Sequence, residues 1–389
     1  MPVKILSVDD ELDLEILLTQ YFRRKIRKGE YEFSFAHNGI EALEMIVMQK
    51  DFDIILSDIN MPEMDGLTLL ARLNELHNPA MKCIIVSAYG DMKNIRSAMN
   101  NGAFDFATKP IDLDDLSVTI EKAIEHINYV KQSQKEHNQL ESIKGELSAA
   151  TEIQQAILPQ KFPPYPELKD KIDIYAMMHP AKDVGGDFYD FFKIDDERIG
   201  FVMADVAGKG LPAALYMAVS RTLLHSIGMT GCSIEDCIER TNQLLCSEND
   251  KMMFVTLFYG VVNLTTGEIK YINAGHNPPY ILRKDNTLEC LPTTSNVVVG
   301  YMENISYKSE IVKLQPGETM FLFTDGVTEA FNNDKEAYGE ERLENTLKGL
   351  CGSSCKDIIE NVNENLNYFV EDAKQSDDIT MMAIGIKSL

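Results

Sequence analysis

From Val3 to about residue 122 the chain alternates short β-branched apolar runs with stretches whose apolar positions step by three and four. Val3 to Val8, Glu32 to Ala36, Asp53 to Ser57, Lys82 to Ser87 and Phe104 to Ala107 predict five strands with helices between them. Ile54-Ile-Leu56 and Cys83-Ile-Ile-Val86 are apolar without alternation, as central parallel strands covered on both faces require. Residues 1–122 are therefore expected to form a doubly wound α/β domain with a five-stranded parallel sheet.

A different period comes next. Leu116, Ile120, Ile124, Ile127 and Val130, then Leu140, Ile143, Leu147, Ala150, Ile153 and Ile157, step by three and four within each run. A single helix of about 45 residues would be roughly 65 Å long, and its apolar stripe needs a partner helix to bury it. Residues 123–158 thus read as a coiled-coil linker in a parallel homodimer, the alternative being a helix packed onto its own domains. Gln134 and His137 fall on the stripe, and Gly145 interrupts it.

Pro159, Pro163, Pro164 and Pro166 close the helix and open a third region, 159–389. Its expected strands are Ile172 to Met178, Phe188 to Ile194, Ile199 to Ala204, Phe254 to Asn263, Ile269 to Asn273, Thr319 to Thr324 and Ile379 to Ile386. Helical blocks are Pro212 to Ile227, Ile234 to Cys246 and Cys355 to Phe369. Strands meeting through turns such as Thr265-Thr-Gly267 predict an antiparallel, layered α+β sandwich.

Composition narrows the function. The 389 residues carry 44% hydrophobic and 25% charged side chains, ordinary for a globular chain of two or three domains. A net charge of −24 repels phosphate backbones and anionic lipid. No basic recognition helix offsets this in the last region, where 35 acidic residues face 21 basic ones. Neither nucleic acid nor membrane is an expected partner. The amino terminus reaches Asp9-Asp10 before a signal-peptide core could form, and the seven cysteines make no Cys-x-x-Cys pair. A cytoplasmic protein with free thiols is expected.

In a doubly wound sheet, ligands sit at the carboxyl ends of the strands. The first strand ends in Asp9-Asp10, the third in Asp58, the fourth in Ser87, and the fifth runs into Lys109-Pro110. Three carboxylates in one crevice repel one another unless a hard cation such as Mg²⁺ sits among them. With the lysine and hydroxyl beside it, Asp58 is the candidate nucleophile for a phosphoryl group. These residues, with Ser57-Asp58-Ile-Asn-Met-Pro-Glu-Met-Asp-Gly66, resemble the receiver domain of bacterial two-component response regulators. The resemblance implies Mg²⁺ on Asp9, Asp10, Asp58 and the Asn60 carbonyl, a phosphoryl group on Asp58 contacted by Ser87 and Lys109, and Phe106 as a switch aromatic. It also implies a sensor histidine kinase or phosphotransfer protein as partner.

The last region carries acids beside glycines at Gly185-Gly-Asp187, Ala204-Asp-Val-Ala-Gly-Lys-Gly210, Thr324-Asp-Gly326 and Ser376-Asp-Asp378. Asp205 and Asp325 each close an apolar run, while Asp187 and Asp377 each precede one. Four carboxylates at one sandwich edge would hold two divalent ions and activate water. With Glu152-Ile-Gln-Gln-Ala-Ile-Leu-Pro159 and Asn273-Ala-Gly-His-Asn-Pro-Pro279, these motifs resemble metal-dependent serine/threonine phosphatases of the bacterial sporulation-stage-II-E branch. The resemblance implies an αββα sandwich in which Asp205 bridges two Mn²⁺ or Mg²⁺ ions. The Val206 carbonyl assists, Asp325 and Asp377 ligate, and Asp187 holds metal-bound water. Asp378 is the alternative to Asp377.

The Asp205-Val-Ala-Gly-Lys209 segment departs from the eukaryotic branch, which has a histidine there and a phosphate-gripping arginine elsewhere. Lys209 is the candidate substrate contact, and the proton donor is unassigned. By resemblance, the substrate is a phosphorylated anti-sigma-factor antagonist of a partner-switching pathway. Two rivals are a pseudophosphatase adaptor, disfavoured because every expected acid is present, and a cyclic-dinucleotide synthase, suggested by Gly185-Gly-Asp-Phe188 but lacking the glutamate.

Overall fold

Continuous apolar runs become fully buried strands in both halves of the chain. The computed structural model describes residues 2–49, 51–88, 91–162, 164–247, 249 and 252–389, so Pro163 lies outside the described residues. Two compact units divide the chain, Met1–Ile143 and Lys144–Leu389.

In the first unit, β1 (Val3–Val8) is followed by α1 (Leu12–Tyr21), α2 (Arg23–Arg27), β2 (Tyr31–Ala36) and α3 (Gly39–Met48). Then come β3 (Ile54–Asp58), α4 (Gly66–Glu75), β4 (Lys82–Ala88), α5 (Met92–Asn100), β5 (Asp105–Lys109) and the opening turns of α6 (Leu113–Ile157). The strand order is β2-β1-β3-β4-β5, all parallel, the doubly wound arrangement that the pattern predicts. Ala42, Ile46, Leu69, Leu73 and Ala98 from α3, α4 and α5 bury one face. Leu18, Leu116, Ile120, Ala123 and Ile127 from α1 and α6 bury the other. Helix starts are fixed locally: the Asn38 side chain accepts the Glu41 N–H, and Asp65 accepts the Thr68 N–H.

The second unit contains β6 (Ile172–His179), β7 (Phe188–Lys193), β8 (Arg198–Val206), α7 (Leu211–Gly228), α8 (Ile234–Cys246), β9 (Val255–Asn263) and β10 (Glu268–Ala274). It continues with β11 (Tyr280–Leu282), β12 (Leu288–Cys290), β13 (Glu310–Lys313), β14 (Thr319–Phe323), α9 (Asp325–Thr328), α10 (Gly339–Lys348), α11 (Cys355–Val370) and β15 (Ile379–Ile386). Two antiparallel sheets result, β13-β10-β9-β8-β7 and β12-β11-β14-β15-β6. Their facing sides form one core with α7 and α8 covering the first sheet, while α10 and α11 cover the outer side of the second. This is an αββα sandwich. Being covered on both faces explains why β8 and β15 read as unbroken apolar runs.

The predicted long helix is present as α6, 45 residues. Leu140 and Ile143 in its middle are 52% and 54% exposed, so that part of the stripe is left largely uncovered by the described residues. Its end re-enters a packed environment, with Gln154 in the last turn and Leu158 just after it both buried. No helix among the described residues is long and apolar enough to cross a membrane.

Candidate functional site

Acidic side chains gather at the carboxyl ends of β1 and β3. One oxygen each from Asp9, Asp10 and Asp58 lies within 4.8 Å of the others, with Asp9 and Asp58 buried and Asp10 exposed. Lys109 Nζ reaches Asp9 at 2.9 Å, Asp58 at 2.8 Å and Glu11 at 3.0 Å. Burial works to lower the Lys109 ammonium, but the hydrogen bonds to Asp58, Asp9 and Glu11 outweigh it and hold the lysine above its ordinary value. Burial pushes the Asp9 carboxyl up, opposed by the Glu11 N–H and by Lys109. The other Asp58 oxygen accepts the Ile59 N–H at 2.7 Å. Ser87 is fully buried at the end of β4, and its Oγ has no hydrogen-bond partner among the described residues. Asn60 is exposed on the loop after β3, and Phe106 on β5 is 36% exposed.

In the second unit the motif acids sit at strand ends close to one another. Asp187 immediately precedes β7, Asp205 lies one residue before the end of β8, Asp325 is the first residue of α9, and Asp377 lies two residues before β15. Asp187 is 1% exposed, and its Oδ2 accepts the hydroxyls of Thr324 at 2.7 Å and Thr380 at 2.6 Å. Burial pushes Asp187 well above the usual carboxylate range, and the neighbouring Asp205 adds to this. Asp205 is pushed up to about 7, by burial first and then by the charges of Asp325, Asp377 and Asp378, while a hydrogen bond with Asp187 opposes the rise. Burial and then Asp377 raise Asp325 as well. Val206 is buried, and its carbonyl would lie 2.9 Å from a Cβ at Gly186.

Asp377 and Asp378 take different surroundings. Asp377 Oδ2 receives Lys209 Nζ at 2.6 Å. Asp378 turns into the protein, where Oδ1 accepts the Ala181 N–H at 2.8 Å and Oδ2 the Gly186 N–H at 2.6 Å. Its backbone is equally tight against Gly326, where a Cβ would stand 1.9 Å from the Asp378 carbonyl oxygen. Both Asp378 oxygens are therefore engaged with backbone amides, whereas Asp377 takes Lys209 on Oδ2 and the Asp378 N–H on Oδ1 at 3.0 Å, and its charge raises Asp325.

The family described as Stage II sporulation protein E (SpoIIE) matches residues 195–387, and that described as the response regulator receiver domain matches residues 5–121. Over 245 residues the chain is 32% identical to phosphoserine phosphatase RsbU of Bacillus subtilis, covering 63% of this chain and 71% of RsbU. The chain belongs to the SpoIIE phosphatase family. It is also 34% identical over 266 residues to protein IcfG of Synechocystis sp., covering 61% of this chain and 41% of IcfG, so it spans less than half of that relative. The SiaA-PP2C domain of Pseudomonas aeruginosa shares the fold of the second unit, with a TM-score of 0.54 and 22% identity over 63% of this chain and 97% of that one.

SpoIIE-family phosphatases are metal-dependent, and the oxygen-only donor set fits hard divalent cations. Asp187 is buried and Asp205 half-buried, both at raised proton affinity, and such carboxylates gain most from a cation. Thr324 and Thr380 are partners of Asp187 that the sequence does not single out. The signal available was position alone, since each lies within two residues of a motif acid. Gly185-Gly-Asp-Phe188, which suggested a cyclic-dinucleotide synthase, is here the approach to the phosphatase acids.

Proposed function

We propose that this chain is a response regulator whose output is a phosphoprotein phosphatase, divided into a receiver at 1–122, a coiled-coil linker at 123–158 and a catalytic domain at 159–389. The observation that carries the reading is Asp187, a fully buried carboxylate oriented by two threonine hydroxyls beside Asp205. A buried acid with raised proton affinity, flanked by further acids, is costly in a purely structural role and useful around cations.

In the catalytic domain Asp205, the Val206 carbonyl, Asp325 and Asp377 would hold two Mn²⁺ or Mg²⁺ ions. The bound ions would supply charge neutralisation for a phosphoryl group and Lewis-acid activation of water. Asp187, fixed by Thr324 and Thr380, would hold and orient that water through a hydrogen bond. Lys209 lies beside Asp377 with its side chain 45% exposed, in position to contact an incoming phosphate. The substrate class is a protein phosphoserine or phosphothreonine, and by family resemblance a phosphorylated anti-sigma-factor antagonist. The name of RsbU, a phosphoserine phosphatase, supports that class.

In the receiver, a phosphohistidine of a sensor kinase or phosphotransfer protein passes its phosphoryl group to an Asp58 oxygen, leaving a neutral histidine and an acyl phosphate. Asp9, Asp10, Asp58 and the Asn60 carbonyl would hold a Mg²⁺ that neutralises the developing charge. Lys109 and the buried Ser87 hydroxyl contact the transferred group. Exposed Leu140 and Ile143 support pairing of α6 with a second copy, which gives the receiver a route to the catalytic domain.

The test is hydrolysis of a phosphoserine peptide by the full chain. Activity should require Mn²⁺ or Mg²⁺, vanish in excess chelator and fall by orders of magnitude in Asp205→Asn. Full activity in the variant or in chelator would refute the two-metal assignment.

A further inference from the structure

The carboxyl-terminal turns of α6 grip the loop that leads into Asp187. Gln154 is 7% exposed, and its side-chain amide binds both polar groups of one residue. Nε2 donates to the Gly185 carbonyl at 2.6 Å, and Oε1 accepts the Gly185 N–H at 3.0 Å. Three residues earlier, Thr151 Oγ1 donates to the Asp183 carbonyl at 2.5 Å. An amide paired in both directions with a backbone residue acts like a strand partner and fixes its orientation.

The same loop is held from the other side. Asp378 accepts the N–H groups of Ala181 and Gly186, at 2.8 Å and 2.6 Å. Gly185 sits in the pinch: a Cβ there would lie 2.3 Å from Asp378 Oδ2. Asp187 comes two residues later, with its carboxylate pinned by Thr324 and Thr380. With so little slack, a shift of the helix at Gln154 is felt at Asp187.

We propose that Gln154 is a positioning residue for the phosphatase acids, converting the placement of the last turns of α6 into the placement of Asp187 and hence into affinity for divalent cations. The inference rests on the metal-dependent reading of this site and deepens it. Groups that orient metal-site residues from behind typically change metal affinity by about tenfold to a hundredfold when removed.

The experiment is a Mn²⁺ titration of the full chain, read by electron paramagnetic resonance of the free ion. Asp205→Asn serves as the blank for ions held elsewhere. Gln154→Met keeps the volume and loses both bonds. It should weaken the Asp205-dependent binding about tenfold or more with an unchanged near-ultraviolet circular dichroism spectrum, and saturating Mn²⁺ should restore kcat. Thr151→Val, at a half-buried position, removes only the outer tie and should weaken binding about two- to threefold, which keeps the inference testable if Gln154→Met does not fold. Gln155→Leu, exposed on the same turn, should bind as wild type.

Wild-type affinity in Gln154→Met, or in Thr151→Val where the first variant does not fold, overturns the inference alone. An equal loss in Gln155→Leu does the same. Wild-type protein binding no more Mn²⁺ than Asp205→Asn overturns the metal reading and the inference with it.

Discussion

Lys209 Nζ lies 2.6 Å from the Asp377 carboxylate across 168 residues of chain, and donates also to the Ser376 carbonyl at 2.9 Å. The receiver repeats the device, with Lys109 2.8 Å from Asp58. In each site a lysine reaches an acid of the reactive cluster, and its hydrogen bonds hold it above the ordinary lysine value. Such a lysine partly offsets the mutual repulsion of the acids, and on the proposed reading it would also meet phosphate.

Lys209→Met should therefore separate two properties. A charge-assisted contact to phosphate contributes about 1.5–3 kcal/mol, so kcat/KM for a phosphopeptide should fall about tenfold or more. Mn²⁺ affinity should hold or tighten, because the ammonium no longer competes for Asp377. Steady-state kinetics beside a Mn²⁺ titration checks both, and unchanged kcat/KM would remove Lys209 from the substrate site.

His276 gives a pH signature. It is buried, with Nδ1 3.2 Å from the Thr256 hydroxyl, and burial lowers its pKa from 6.5 to about 4. The unfolded chain therefore binds a proton between these values that the folded chain does not. The stability from the neutral, buried ring is present above pH 6.5 and is lost as pH falls towards 4. Between pH 7 and pH 5 the loss is about 2 kcal/mol. Urea unfolding of wild type and His276→Gln at both pH values isolates it. The variant is less stable at pH 7, and the gap narrows by about that amount at pH 5. A constant gap would contradict the neutral, buried assignment.

Length and burial decided how much of the fold was legible in the sequence. Strands covered on both faces, such as β3, β8 and β15, announce themselves as apolar runs. The pieces β11, β12 and β13 are three or four residues long, too short for any period to register. Helix α10 offers only Leu343 and Leu347 as buried positions, so its amphipathic stripe is faint. Among the candidate site residues, the motif acids could be picked out because each lies in or within two residues of a strand. The division between Asp377 and Asp378 was not, since adjacent identical residues differ only in where the tertiary structure turns them. Gln154 stood inside the Glu152–Pro159 motif, but its two bonds to Gly185 could not be read there, because the loop that receives them lies 31 residues further along the chain.

The exposed middle of α6 predicts a role for helical phase. Four residues inserted after Gln139 keep the helix and rotate its carboxyl-terminal part by about 40° relative to the part before the insertion. Basal phosphatase activity should survive because Thr151 and Gln154 keep their partners, while the response to the receiver is altered or lost. Light scattering should report a dimer. A monomer with unchanged regulation in the insertion variant would leave α6 as a passive tether.

Control by Asp58 is the central claim, and its most direct test is the rate of phosphoserine-peptide hydrolysis at saturating Mn²⁺, with and without beryllofluoride, in wild type and Asp58→Ala. A coupling of about 1–3 kcal/mol between the sites changes the wild-type rate about 5- to 150-fold if the conformational population sets that rate, and leaves Asp58→Ala unmoved. An unresponsive wild type, or an equal response in Asp58→Ala, would contradict the account.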